Sequence, residues 1–104
     1  MDNGAGGRLV VEIDCELMPI VPEYLEKRRL DCTAIEQLLA AGCMGSVQVI
    51  GHRMKGSGGS FGFDEVSCIG EDLEFAARIT DVEGVRSALC RLKAYLANVV
   101  VEYI

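Results

Sequence analysis

The chain holds a single histidine, His52, and the residue types around it suit phosphoryl chemistry. The stretch reads Gly51-His52-Arg53-Met54-Lys55-Gly56-Ser57-Gly58-Gly59-Ser60-Phe61-Gly62-Phe63. An imidazole is largely unprotonated near neutral pH, and its neutral ring keeps one nitrogen lone pair free for nucleophilic attack. Lys55, one helical turn on, is spaced to offset the roughly two negative charges that an incoming phosphoryl group brings. Gly56 and Gly59 leave no side chain beside the imidazole, so another protein's active site can come close. Ser57 and Ser60 are rival acceptors, but neither has a neighbouring base to activate a hydroxyl.

The spacing predicts how these residues share a helix. With His52 at zero and about 100° per residue, Gln48 lies about 40° and Lys55 about 60° to one side, Gly56 about 40° to the other, and Gly59 about 20° away. Gln48, from the preceding turn, either steadies the imidazole or faces solvent. Val47, Ile50, Met54 and Phe61 collect on the opposite face, so His52 is expected at the surface, on the polar side of an amphipathic helix. Ser57 and Gly58 lean inward, which suits packing or a backbone hydrogen bond for the serine. Each glycine inside a helix costs about 1 kcal/mol relative to Ala, so several in one helix call for a reason, and close approach supplies it.

The elements that must position this stretch follow from helical periodicity. Val21, Leu25, Cys32, Ile35 and Leu39, with Arg28 in the gap, predict a helix over about 20–41, opened by Pro22 and stopped at Gly42. The His52 helix is expected from Met44 to Phe61. Asp64 reads as the N-cap of a third helix with Val66, Ile69, Leu73 and Ala76/Ala77 on one face. Asp81 reads as the cap of a fourth, along Val82, Val85, Leu89, Leu92 and Leu96. Short connections imply antiparallel neighbours. The expected fold is therefore all-α: an antiparallel up-down four-helix bundle with a short N-terminal extension. Residues 8–13 and 99–104 are β-branched and strand-like; they either pair with each other or the second extends the last helix. Residues 1–8, rich in glycine, are expected to be a flexible tail, and residues 9–104 a single domain.

Composition narrows the function. Ten basic against sixteen acidic residues give a net charge of −6, which disfavours nucleic-acid partners because that affinity rests on Lys and Arg. Half the residues are hydrophobic but only 6% are aromatic, so the core must be aliphatic. No apolar run is long enough for a bilayer and the start lacks the features of a secretion signal, so a cytoplasmic location without a membrane partner is expected. The five cysteines, Cys15, Cys32, Cys43, Cys68 and Cys90, form no CxxC pair. Three of them fall on apolar helical positions, where a thiol packs as a small hydrophobe, so reduced, buried thiols are expected; no metal and no cofactor is expected. Glu71, Asp72 and Glu74 read as a solvated helix face, Lys27-Arg28-Arg29 as solvated cations and the methionines as core filler.

His52-Arg53-Met54-Lys55-Gly56-Ser57, with Gly62 beyond, resembles the signature of histidine phosphotransfer (Hpt) domains. The resemblance runs over nearly all of 20–98, through Tyr24-Leu25, Ala41-Gly42, Gly70-Glu71-Asp72-Leu73-Glu74 and the final amphipathic helix. It departs at Cys43-Met44-Gly45, where related domains often carry an acidic residue and an aromatic. The resemblance implies a four-helix bundle that carries phosphoryl on His52 as phosphohistidine, with Lys55 as electrostatic partner and Gly56 as clearance. Phosphoryl would come from a receiver phosphoaspartate or kinase and pass to a response-regulator receiver. ATP-dependent kinase activity is not expected, because Gly56-Ser57-Gly58-Gly59-Ser60 lacks the Gly-Lys-Ser/Thr of a phosphate-cradling loop. A docking module that binds receivers or kinases without carrying phosphate is the alternative. A metal or redox protein built on His52 and the cysteines is a weaker third, since no ligand-spaced pair exists.

Overall fold

The computed structural model describes residues 8–104. The expected flexible tail therefore lies, but for Arg8, outside the described residues. Four α-helices make up most of the chain: α1 (Val21–Ala40), α2 (Met44–Gly58), α3 (Asp64–Arg78) and α4 (Val82–Asn98). Each expected helix is present within a few residues of its predicted limits. Gly42, at φ 75°, follows the end of α1, and Asp81 caps α4 by accepting from the Gly84 amide at 3.0 Å. Two boundaries differ. Asp64 is the first residue of α3 rather than its cap; Phe63 holds the cap position without a side-chain hydrogen bond. The His52 helix is regular only to Gly58 and then tightens into a 3-10 turn over Gly59–Phe61, closed by Gly62 at φ 88°.

The fold is not purely helical. Leu9–Ile13 (β1) and Val99–Tyr103 (β2) form a two-stranded parallel sheet, with Leu9 opposite Val99 and Ile13 opposite Tyr103. The N-terminal extension is thus a strand, and α4 ends at Asn98 instead of running on. The physical reason lies in the side chains: β-branched residues lose rotamer freedom in a helix and pack well on a pleated surface. Ile13 is fully buried, and Val11, Val99, Val101 and Tyr103 pack against the core, so the sheet closes one end of the helical body.

Ile35, Val47, Met54, Phe63, Val66, Ile69, Leu73, Val85 and Leu92 are buried at the centre, from all four helices and the loop before α3. That is the aliphatic core the composition requires. Cys32 alone among the cysteines is buried; Cys15, Cys43, Cys68 and Cys90 are exposed, which corrects the expectation that three of them are buried on apolar helical positions. Met54 fills the core but Met18 is exposed. Val82, assigned to the α4 core face, stands partly open at the helix start. No helix among the described residues is long and apolar enough to cross a membrane.

Candidate functional site

The middle of α2 presents two faces. Val47 and Met54 are buried and Ile50 is half-buried, which leaves His52 on the outside with its side chain 72% exposed. Lys55 is exposed along the same strip. A Cβ added at Gly56 would meet nothing within 4 Å, and one at Gly59 would make only ordinary contacts, 3.7 Å from Asp64 Oδ1 and Ser67 Oγ. Space beside the imidazole is therefore open over the two turns that follow it.

Glu74, on α3, completes the group. Its Oε2 lies 3.0 Å from His52 Nδ1, and its Oε1 lies 3.8 Å from Lys55 Nζ. A carboxylate can only accept, so the ring donates through Nδ1–H. That tautomer leaves the Nε2 lone pair free, with no hydrogen-bond partner among the described residues. One half-buried carboxylate thus orients the imidazole and anchors the lysine. The expectation of a solvated face at Glu71, Asp72 and Glu74 holds for the exposed Glu71 and Asp72, but Glu74 turns inward toward α2. Glu74 is 22 residues from His52, so no local spacing reveals it. A usable signal exists in Gly70: a glycine inside α3 marks close helix approach, and Glu74 sits one turn further on the same face.

The close approach is measurable. A Cβ on Gly51 would stand 2.6 Å from the Glu74 amide nitrogen, and one on Gly70 would stand 2.5 Å from that of Lys55. Gly58 is as tight, 2.5 Å from the Ser67 amide nitrogen. Gly51, Gly58 and Gly70 therefore let α2 and α3 touch backbone to backbone, which brings Glu74 within reach of the ring. The glycines of the His52 stretch thus have two settings: room for a side chain at Gly56 and Gly59, and α3 backbone in contact at Gly51 and Gly58.

Gln48 is half-buried one turn before His52 and makes no hydrogen bond to the ring among the described residues, where Nδ1 is bonded to Glu74 instead. Ser57 points inward and bonds the Tyr24 hydroxyl at 2.9 Å, a side-chain partner rather than a backbone one. Tyr24 stacks on Phe61 with ring centroids 4.2 Å apart and so ties the end of the His52 helix to α1. Arg28 does not simply sit in water. It is largely covered, lies over the Tyr24 ring at 4.6 Å and donates to Asp31 at 2.8 Å. Burial raises the pKa of the Asp31 carboxyl, while the Arg28 guanidinium pulls it back.

Among the described residues, no group of three or more His, Cys, Asp or Glu side chains could hold a metal ion. Burial also raises the pKa of the Cys32 thiol, the state of an unreactive cysteine. A family model described as the Hpt domain matches residues 20–101, which takes in all four helices and the start of β2. No curated protein and no solved structure matches the chain.

Proposed function

The chain belongs to the Hpt domain family, a family of phosphorelay signalling, and on that premise we propose that it is a phosphocarrier working through His52. The observation that carries this reading is the exposed imidazole whose Nδ1–H is held by Glu74 at 3.0 Å. Nε2 attacks the phosphorus of a receiver's aspartyl phosphate; the N–P bond forms as the P–O bond to the aspartate breaks, and the carboxylate leaves. The ring becomes positively charged as it bonds phosphorus, and the Glu74 carboxylate is already in place to meet that charge. Lys55 offsets charge on the phosphoryl oxygens. The reverse step onto a second receiver aspartate discharges His52. Hpt domains engage receivers and kinases in general; the partners proposed here are receiver domains of response regulators or hybrid histidine kinases, without nucleic acid or membrane.

Residues 9–104 are read as one phosphotransfer domain, because Ile13 and Tyr103 join the two ends of the chain over the same core. The helices are read as an antiparallel up-down bundle. Supporting this, Gly51 faces Glu74 while Gly58 faces Ser67 across α2 and α3, and Tyr24 near the start of α1 meets Ser57 near the end of α2. A cytoplasmic location fits partners of this kind.

Incubation with a phosphorylated receiver and Mg²⁺ is the test. The chain should gain one phosphoryl group, lost in acid and stable in alkali as a phosphoramidate is, and His52→Gln should take none. Acid-stable label, or label on the His52→Gln chain, would exclude the carrier reading. Receiver binding without any label would favour the docking module.

A further inference from the structure

The α2–α3 seam grips one residue of the site by its main chain. On one side, Gly70 packs against the Lys55 amide, where even a Cβ would come to 2.5 Å. On the other, the Ser67 hydroxyl donates to the Lys55 carbonyl at 2.9 Å and accepts from the Gly59 amide at 2.8 Å. In a continuous α-helix a carbonyl and the amide four residues on bond each other directly. Here the Ser67 hydroxyl bridges the two, and at this point α2 gives way to the 3-10 turn over Gly59–Phe61. A side chain inserted into the hydrogen-bond ladder is one of the few recognised causes of a helix bend. Gly58 makes the insertion possible, since a Cβ there would stand 2.6 Å from Ser67 Oγ.

We infer that Ser67 is a positioning residue for phosphoryl transfer. By bridging Lys55 and Gly59 it fixes the local course of α2 and with it the direction in which the Lys55 side chain leaves the helix. The Lys55 ammonium, 3.8 Å from Glu74 Oε1, is held beside the imidazole as a result. This rests on the carrier reading above. Removal of the hydroxyl leaves the Lys55 carbonyl and Gly59 amide free to bond each other directly, so the end of α2 re-forms its own ladder and Lys55 moves without loss of the fold.

The experiment is a double-mutant cycle on the full chain, with a receiver domain phosphorylated by radiolabelled acetyl phosphate in Mg²⁺ as donor. Ser67→Ala should slow labelling of His52 by roughly threefold to tenfold, the scale of one net hydrogen bond. In a Lys55→Ala background it should slow labelling no further, because the residue through which it acts is gone. The NMR shifts of the Lys55 carbonyl and Gly59 amide should move in Ser67→Ala, while the melting temperature stays near that of the wild type. A wild-type rate in Ser67→Ala, or an equal loss in both backgrounds, overturns the assignment of Ser67 alone. A wild-type chain that takes no label overturns the carrier reading, and the role assigned to Ser67 goes with it.

Discussion

The two faces of α2 use the same residue type for opposite ends. On the outer face, Gly56 has open space where a side chain would go. On the inner face, Gly51 and Gly58 have backbone of α3 within 3 Å of that position. The outer glycine leaves a space open to solvent; the inner ones let a neighbouring helix fill it. What separates them is the position of α3. The contrast also bears on the site, because the inner contact delivers Glu74 to His52 and the outer clearance exposes what Glu74 has oriented.

Gly51→Val is expected to separate the faces most sharply. The added carbons meet main-chain atoms that cannot rotate away, an overpacking cost of about 3 kcal/mol. Denaturant unfolding should show that loss, and the His52 labelling rate should fall with it as Glu74 is pushed from the ring. Little change in unfolding midpoint would mean that the seam yields readily and that the two faces do not differ in kind. An intermediate effect is expected from Glu74→Ala, which removes the acceptor for Nδ1–H and the anchor of Lys55. Transfer should slow by about tenfold, less than the loss of an electrostatic partner costs in an enclosed site, because this one is open to water. Glu74→Gln, which keeps an acceptor but no charge, should fall between; a rate for Glu74→Ala equal to the wild type would show that His52 needs no support from α3. The smallest stability effect belongs to Gly56→Gln. Helix propensity should raise stability by about 0.6 kcal/mol, while the bulk beside His52 should block transfer from the receiver. Calorimetry and labelling on one preparation decide the matter: a loss of stability, or an undiminished transfer rate, would remove the clearance role.

Much of the helical layout was open to reading because it is written at short range. The buried positions Val66, Ile69, Leu73, Ala76 and Ala77 recur at helical spacing, and the Asp81 cap sits immediately before the segment it serves. The errors share a cause. Glu74 and Arg28 carry charges, and a charge on a helix is usually solvated; each is covered here because another element lies over it. Of the three cysteines expected to be buried on apolar helical positions only Cys32 is; Cys68 and Cys90 stand on the exposed sides of α3 and α4, next to the buried Ile69 and Leu89. The strand-like ends left two outcomes open, since a parallel pairing of Leu9 with Val99 depends on where the intervening helices leave the two termini.

The sequence by itself determined that His52, Lys55 and Gly56 share one side of one helix, since a helix turns by a fixed angle per residue and the three lie little more than one turn apart. It also determined that this side is polar and the other apolar. Only the tertiary structure decided that Glu74 accepts from Nδ1, that Ser67 enters the end of the His52 helix, and which glycines touch α3. Those facts depend on how two helices meet, and a helix contact is set by the packing of whole surfaces, in which no residue's spacing along its own chain records the partner it will face.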